Sequence, residues 1–545
     1  MTLDREVESQ YSALELWRRI PNNRRYHRAV TPSQAVDPGS RQPRTRLLAC
    51  VAVLTLAGAG LLVHVSPWLA DGLGDSHDGY NAAIWGLGAR GAVEDPVGNR
   101  LGGIHPDGMS YANHPPLLVW TLTPIVAIRD DWPLGLRLVP LLGSLTAIGI
   151  LAGVLRDSGV GTMAQTAGVL LAGSSAMLLT YGAMVDTPVF GFPFALAALW
   201  VAQRSWQARP PPPWLAVLCG ALAALAGWQA LLTVVVAAAV AGVRRSPPSR
   251  RGAAFLMLGG LGGLLVTLAW VWWVSGGLST LLDQGANRTG MDFGAWFSQQ
   301  VEFSADLFGP ALFMVVCIGT TIAVALPTYR WRRGRPTNDR SIGNFTGGHV
   351  QTTAWETPRP LAIVIVVVVI GYSVLFRHGA WVHSYWNYYG IALVGVTTAA
   401  LMETAEALLQ AMSPSARKVT TGLLGFMCLM IAATSWGTRS QADLEIQTGL
   451  EVVPLLEQLP HADQPHEVVV ATVGGDPVKP WLRWTTHGTN EAVDPGDVTE
   501  LNPHRQVLIT LPLPPPASLW DRTSAEVNGH FALLPAGELE PLMKR

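Results

Sequence analysis

The feature that most constrains this chain is a series of apolar runs, each long enough to cross a bilayer. A helix needs about 20 apolar residues to cross a hydrocarbon core of about 30 Å. Such runs lie at 47–69, 135–155, 160–183, 187–203, 252–274, 308–328, 360–376, 389–411 and 419–436, and the stretch at 214–243 suits two short spans. The sequence therefore predicts an α-helical polytopic membrane protein with about eleven transmembrane helices.

The composition agrees with this class and excludes others. Charged residues make up 14% of the 545 residues, whereas soluble domains carry about 25%. Lys and Arg number 37 against 38 Asp and Glu, so no net positive field favours nucleic acid as a partner. The four Cys lie in apolar runs without metal-ligand spacing, so neither a zinc site nor a disulfide framework is predicted.

The segment His114–Ile128 decides the topology. It is apolar but short and is interrupted by prolines. If it does not cross the membrane, the basic clusters that follow the spans share one side with the basic N-terminus, as the positive-inside rule requires; they are Arg204/Arg209, Arg244/Arg245/Arg250/Arg251, Arg330/Arg332/Arg333/Arg335 and Arg417/Lys418. The prediction is a cytoplasmic N-terminus and an extracytoplasmic region beyond Trp436.

Three domains follow from this topology. Residues 1–46 form a basic cytoplasmic tail, predicted to be disordered, and 47–436 form the membrane domain, with a long outer first loop at 70–134 and another outer loop at 275–307. The region 437–545 has ordinary soluble composition and strand-like runs at 467–473, 481–486 and 505–511. Strand-like runs separated by Gly, Pro and Asp turns predict a small C-terminal α/β extracytoplasmic domain.

The first outer loop opens with an acidic motif of four chemistry-bearing residues, Asp75, His77, Asp78 and Tyr80. Carboxylates three residues apart can meet on one face of a helical turn, where they suit a general base with an orienting or metal-binding partner. A solvated loop with a capping Asp explains the same residues.

Two further polar positions lie at predicted membrane boundaries. Asp186 begins the segment Asp-Thr-Pro, which suits a helix N-cap with proline in the first turn, although a capping carboxylate can also face a cleft. His114 precedes two prolines, and Arg377 with His378 ends a later span. Such cations and imidazoles either anchor helix ends in headgroups or serve a site at that depth.

The outer loop at 275–307 places Arg288 between two amphipathic stretches. A guanidinium there suits a membrane-surface lid that binds a lipid phosphate bidentately. The motif at 377–389 is rich in aromatic residues and contains Trp381, His383 and Tyr385. Aromatic belts form at membrane interfaces, and aromatic side chains also stack on sugars, so both interpretations stay open.

Taken together, these motifs resemble the C-type glycosyltransferase superfamily, and in particular the bacterial group related to protein O-mannosyltransferases and lipid A aminoarabinose transferases. The resemblance rests on the order of D-S-H-D-G-Y, Y-A-N-H-P-P, the Asp-x-Pro turn and H-S-Y-W-N-Y-Y over roughly 47–400. It implies a plasma-membrane enzyme of a bacterium that transfers a sugar from a polyprenyl-phosphate donor to a hydroxyl of a glycan, lipid or protein, with inversion. Membrane lipids are further expected partners.

The resemblance also implies residue roles. Asp78, or Asp75 beside it, would be the catalytic base, with Asp186 as the second carboxylate. The donor phosphate would be bound by His114, Arg288, Arg377 and His378, and the sugar or acceptor by His77, Tyr80, Trp381, His383 and Tyr385. No cofactor is required; Mg²⁺ or Mn²⁺ held by Asp75, Asp78 and Asp186 is compatible with the sequence.

Two other functions are weighed against this one. A flippase or transporter of lipid-linked sugars would need ionisable groups within the spans, which are nearly free of them. A non-catalytic anchor that displays the region 437–545 as a binding module would make the outer carboxylates dispensable.

Overall fold

The computed structural model describes most of the chain between residues 42 and 437. The described residues are 42–106, 108–207, 209–243, 246–325, 359–410, 412–437, the single residues Asp443 and Trp484, and four strand segments. The predicted basic tail, the pair Arg244/Arg245, the basic cluster at 330–335 and most of the region 437–545 lie outside the described residues.

The described part is mostly α-helical. In chain order the helices are α1 (Gln42–Val65), α2 (His77–Glu94), α3 (Leu117–Ile128), α4 (Pro133–Asp157), α5 (Thr162–Gly173), α6 (Ala176–Tyr181), α7 (Thr187–Trp206), α8 (Pro213–Ala226), α9 (Trp228–Val243), α10 (Pro247–Ser275), α11 (Ser279–Thr289), α12 (Phe293–Ala325), α13 (Arg359–Leu375), α14 (Arg377–Val382), α15 (Gly390–Leu409) and α16 (Pro414–Gly437). Two short 3₁₀ turns lie at Arg100–Gly102 and Ser384–Asn387.

Six segments within the described residues are long and apolar enough to cross a membrane. They are Arg46–Val65, Pro133–Asp157, Pro247–Ser275, Phe293–Val324, Ser384–Leu409 and Pro414–Trp436. Four shorter apolar helices accompany them, namely α3, α8, α9 and α13. The chain is therefore a multi-pass, mostly helical membrane protein, while the number of eleven crossings stays a prediction.

Two predicted spans differ from single straight helices. The run at 160–183 is divided into α5 and α6 at Ser174 and Ser175, whose hydroxyls donate to carbonyls of the preceding turn, a bond that competes with the helix ladder. Helix α12 bends at Gly309, which has φ of +70°, and Pro310, which lacks an N–H. The part of α12 before the bend falls almost entirely within the residue range predicted as the outer loop, 275–307.

Buried apolar side chains form two clusters. The larger cluster joins most of the long helices. The smaller one gathers residues of α2, α3 and the end of α10, together with Trp484 from the C-terminal region. The smaller cluster positions the functional side chains, because it fixes α2 against its neighbours.

The C-terminal region contains a four-stranded sheet. Its strands are β1 (Val469–Ala471), β2 (Gln506–Thr510), β3 (Glu526–Asn528) and β4 (Phe531–Pro535), in the order β1-β2-β4-β3. β1 is parallel to β2, and the other pairs are antiparallel. β1 and β2 lie within the predicted strands at 467–473 and 505–511. In the predicted strand at 481–486 the described residue, Trp484, is helical, which contradicts a strand at that position.

Candidate active site

The acidic motif forms the start of α2. Ser76 caps the helix by accepting a hydrogen bond from the Gly79 amide at 3.1 Å. A Cβ on Gly79 would lie 2.2 Å from the carbonyl oxygen of Gly74. Glycine is therefore needed after Asp78, because the chain before the helix folds back onto the first turn.

Asp78 forms an ion pair with Arg137 from α4. Both the Nε and Nη2 atoms of Arg137 lie 2.9 Å from Oδ2 of Asp78, and both side chains are fully buried. Burial raises the pKa of Asp78, although the Arg137 charge and hydrogen bond lower it. The Arg137 Nη1 atom also donates to the carbonyls of Trp68 and Asp71, at 3.0 and 2.5 Å. The pair thus ties α2 and α4 to the chain that follows α1.

Asp186 is the N-cap of α7 and also faces side chains from other elements. Its carboxylate accepts hydrogen bonds from the Thr187 amide at 2.6 Å and from Asn81 Nδ2 at 3.2 Å. The Tyr385 hydroxyl and the Trp85 side chain are further hydrogen-bonding neighbours. All these donors are neutral. Burial raises the pKa of Asp186 to about 6, although these hydrogen bonds lower it.

His114 lies next to Asp186. Its Nδ1 atom is 3.3 Å from the Thr187 hydroxyl, and its ring lies 5.8 Å from the Trp85 ring and 6.0 Å from the Tyr111 ring, centroid to centroid. Burial, with a smaller contribution from the Arg288 charge, lowers the pKa of His114 to about 4. Near neutral pH this side chain is therefore a neutral hydrogen-bonding group.

Two residues of the aromatic motif complete the cluster. The Tyr385 hydroxyl is 3.3 Å from Asn81 Nδ2, so one amide bridges Tyr385 and Asp186. The rings of His77 and His383 lie 5.5 Å apart. Nδ1 of His383 is buried and has no hydrogen-bond partner among the described residues. Burial is the main cause that lowers the pKa of His383 to about 3, with the neighbouring His77 and Arg288 charges contributing.

Arg288 brings a positive charge to this cluster. It lies at the C-terminal end of α11, with Nη1 3.1 Å from Nε2 of His383 and its guanidinium carbon 5.6 Å from the centroid of the Trp386 ring. Arg377 and His378 contact the segment that carries Arg288. Arg377 Nε donates to the Met291 carbonyl at 2.9 Å, and His378 Nδ1 is 2.9 Å from the Asn287 carbonyl oxygen. These two residues hold the Arg288 segment in place.

We define the Asp186 cluster as the residues that these contacts bring together: Asn81, Trp85, His114, Asp186, Thr187, Arg288, His383, Tyr385 and Trp386. His77 lies at its edge, against His383 and Tyr385. Tyr80 is half-buried, and Asp75 is half-buried just before the cap of α2. Trp381 stacks on His378 and is 39% exposed.

A metal site of three carboxylates is not formed by the described residues. No group of three His, Cys, Asp or Glu side chains there could hold a metal ion. Asp78 is committed to Arg137, while Asp186 is bound by amide and hydroxyl donors. The trio Asp75, Asp78 and Asp186 therefore does not converge as the sequence suggested.

Several members of the cluster were not predicted from the sequence. Asn81 and Trp85 are four residues apart on α2 and share one face of it, three and seven residues after Asp78. That spacing could have placed them near the acidic motif. Thr187 follows the predicted cap, and Trp386 belongs to the aromatic motif. No spacing rule links Asn81 to Asp186, because they are 105 residues apart.

Comparison with known proteins gives a likeness in structure. No family model matches the sequence, and no curated protein matches it. ArnT from Cupriavidus metallidurans bound to undecaprenyl phosphate superimposes with a TM-score of 0.56 and 12% identity, covering 89% of this chain and 97% of that one. Its apo state gives a TM-score of 0.54 and 13% identity, covering 92% and 99%.

An archaeal protein is also similar, at a lower score. The oligosaccharyltransferase of Archaeoglobus fulgidus, tethered to an acceptor peptide, gives a TM-score of 0.46 and 12% identity over 81% of this chain and 63% of that one. Both ArnT structures have a TM-score above 0.5 and match this chain nearly end to end. This likeness shows the fold: the chain folds like ArnT, as the resemblance drawn from its motifs implied.

Proposed function

We propose that this chain is an integral membrane glycosyltransferase that moves a sugar from a polyprenyl phosphate to a hydroxyl acceptor at the extracytoplasmic face. The observation that carries the proposal is the Asp186 cluster, in which one carboxylate and one guanidinium come together with neutral hydrogen-bonding groups. Glycosyl transfer from a lipid phosphate needs this combination, because a proton leaves the acceptor while negative charge grows on the phosphate.

The proposed base is the carboxylate of Asp186. With a pKa of about 6 it is ionised at neutral pH yet basic enough to take a proton. Asp78 is a weaker candidate, since its ion pair with Arg137 would have to break before it could accept one. We assign Asp78 to holding α2 and α4 together.

The cation for the donor phosphate is Arg288. Its planar fork can bind two phosphate oxygens, and His114 and His383 add neutral hydrogen-bonding nitrogens nearby. Arg377 and His378 support binding indirectly, through their contacts with the Arg288 segment. The known complex of ArnT with undecaprenyl phosphate supports a polyprenyl phosphate as the ligand of this fold.

The reaction forms one bond and breaks one. The acceptor oxygen attacks the anomeric carbon from the side opposite the phosphate, which inverts the configuration there. The carbon–oxygen bond to the phosphate breaks, and the polyprenyl phosphate leaves with its charge against Arg288. Asp186 takes the acceptor proton. His77 and Tyr385, at the edge of the cluster, are proposed to contact the sugar or the acceptor.

The test uses the purified full-length chain in liposomes. Undecaprenyl phosphates that carry one radiolabelled hexose or pentose each are supplied singly, with membrane extracts as the source of acceptor. We expect one donor to be consumed and its label to enter a glycan, lipid or protein fraction. The matched control is Asp186→Asn, which should transfer sugar at least about 10²-fold more slowly. Consumption of no donor would contradict the proposal and favour the anchor function, whereas equal consumption by Asp186→Asn would exclude Asp186 as the base.

The orientation in the membrane is a separate part of this proposal. We place the N-terminus in the cytoplasm and the C-terminal region outside, because this topology puts the basic clusters on one side. Single-cysteine variants Phe345→Cys and Asn490→Cys, made in a chain whose four Cys are replaced, should be labelled from opposite sides. Labelling of both from one side would refute the topology.

A further inference from the structure

One buried contact joins the C-terminal region to the helix that carries part of the Asp186 cluster. Trp484, which lies between β1 and β2 in the chain, is 3% exposed and belongs to the smaller apolar cluster. Its ring packs beside Gly86 of α2. The Arg90 guanidinium carbon lies 4.3 Å from the centroid of the same ring, and Arg90 donates to the Trp484 carbonyl at 3.3 and 3.2 Å.

Arg90 joins three segments at this contact: α2, the segment before α4, and Trp484. It is 4% exposed, and its Nη2 atom also donates to the carbonyl of Asp130 at 3.1 Å. Burial lowers the pKa of Arg90, while the charges of Asp130, Glu94 and Asp131 raise it. A buried guanidinium needs partners of this kind, so Arg90 holds α2, the segment before α4 and Trp484 in one arrangement.

The two faces of α2 explain why this junction matters for the site. Asn81 and Trp85 share the face that meets Asp186. Gly86 and Arg90, one position further along, share the face that meets Trp484, because residues four apart lie on one face of a helix and consecutive residues point about 100° apart. If α2 shifts where it contacts Trp484, Asn81 and Trp85 therefore shift relative to Asp186.

A second contact joins the C-terminal region to the membrane domain, at a different helix from the first. Asp443 is 5% exposed, and its Oδ1 atom is 3.0 Å from Nε2 of His64 near the end of α1. These residues of the C-terminal region thus contact two different helices, α1 and α2.

We propose that Trp484 is a positioning residue, through which the C-terminal region holds α2 and thereby sets where Asn81 and Trp85 meet Asp186. This inference rests on the proposed function and assigns the C-terminal region a part in it. In the proposed function the donor phosphate is bound by Arg288 with His114 and His383 nearby, and none of the three belongs to α2. Loss of the Trp484 contact should therefore change turnover much more than donor affinity.

The first experiment measures turnover and donor KM for Trp484→Ala, with Trp484→Phe as the conservative variant. We expect Trp484→Ala to lower kcat by about 10²-fold, since a misplacement of about 1 Å costs that much, with little change in KM. Trp484→Phe should recover most of the rate, because it keeps a ring against Gly86. Trp214→Ala, at a tryptophan that is 65% exposed, is the matched control and should behave like the wild type. A raised KM with normal kcat would overturn the proposal.

The second experiment is a double-mutant cycle with Gly86→Ala. A Cβ on Gly86 would lie 2.6 and 2.9 Å from two ring carbons of Trp484, so the ring must move. Gly86→Ala should lower kcat in the wild-type background and have a much smaller effect in the Trp484→Ala background, where only the approach to Leu136 Cδ1 at 3.1 Å remains, because contacting residues are not additive. Independent, additive effects would contradict the contact.

A readout that needs no activity separates this inference from the proposed function. Amide hydrogen exchange of residues 79–90 should be faster in Trp484→Ala than in the wild type and unchanged in Trp214→Ala, since loss of packing promotes local opening. If the wild type transfers no sugar, the proposed function fails while faster exchange still supports the positioning contact. Unchanged exchange in Trp484→Ala would refute it whether or not sugar is transferred.

Discussion

Asp78 and Asp186 are both buried carboxylates near the start of a helix, yet their surroundings differ in charge. Asp78 is 1% exposed and faces the guanidinium of Arg137, which is itself fully buried. Asp186 is 5% exposed and faces the neutral donors Asn81, Thr187 and Tyr385. The partner decides what a buried carboxylate can do, because a paired charge is held in place whereas a carboxylate among neutral donors can still exchange a proton.

The two carboxylates are also connected through α2. Asp78 fixes the first turn of this helix to α4, and Asn81 of the next turn donates to Asp186. The ion pair thus supports the geometry of the cluster without belonging to it. Substituting each carboxylate separately should therefore give two different kinds of defect.

The largest effect is expected for Asp186→Asn. The amide keeps the shape of the side chain but cannot accept the acceptor proton, and loss of a general base lowers turnover by about 10²- to 10⁴-fold. The amount of folded protein in detergent should stay close to that of the wild type. Steady-state sugar transfer at saturating donor measures the effect. Turnover near the wild-type value would exclude Asp186 as the base.

Asp78→Asn should instead reduce stability. It leaves the buried Arg137 charge without its counter-ion, and removal of one partner of a buried pair costs about 3–5 kcal/mol. The fraction that survives heating in detergent should fall. The matched control is Asp78→Asn/Arg137→Met, which removes both charges and should regain part of the loss. A double variant no more stable than Asp78→Asn would argue against the ion pair.

Substitution of Arg288 tests the cationic side of the cluster. Arg288→Ala should lower turnover by about 10²-fold, the usual cost of removing one donor that stabilises developing negative charge. Arg288→Lys should be less impaired, since it keeps the charge but loses the planar fork. The variant for comparison is Arg377→Lys, at a residue that contacts the Arg288 segment but does not belong to the Asp186 cluster. Equal turnover of the wild type, Lys and Ala forms at position 288 would remove Arg288 from the mechanism.

The smallest effect is a change with pH. Because the pKa of Asp186 is raised to about 6, the base is ionised above this pH and protonated below it. Turnover at saturating donor should be level from pH 7 to 8 and fall about tenfold at one unit below the pKa. Transfer rates measured between pH 5 and 8 test this. A rate that rises as the pH falls would contradict a carboxylate base.

Much of the fold could be predicted from the sequence because lipid imposes a simple rule on it. Apolar runs must be helical in a membrane, so the eleven predicted runs each contain helical residues in the described structure. The breaks in those helices were harder to foresee. The Ser174–Ser175 break depends on which carbonyls the two hydroxyls meet, and no local pattern states that.

The site was predicted in part. Asp186, His114, Arg288, His383 and Tyr385 were each singled out, and the structure brings them together. The different roles proposed for Asp78 and Asp186 could not be predicted from the sequence, since they depend on Arg137. That residue lies 59 positions from Asp78 in the chain. Which buried charges pair depends on the tertiary structure, and their spacing along the chain does not predict it.

The most direct measurement is the single-turnover transfer rate of Asp78→Asn and Asp186→Asn, each divided by its folded fraction and compared with the wild type. The donor is the labelled polyprenyl phosphate sugar that the wild type consumes. We expect the folded Asp78→Asn molecules to retain most of the rate and the folded Asp186→Asn molecules to lose at least about 10²-fold. The reverse outcome, an inactive folded Asp78→Asn beside an active Asp186→Asn, would contradict the assignment of Asp186 as the base.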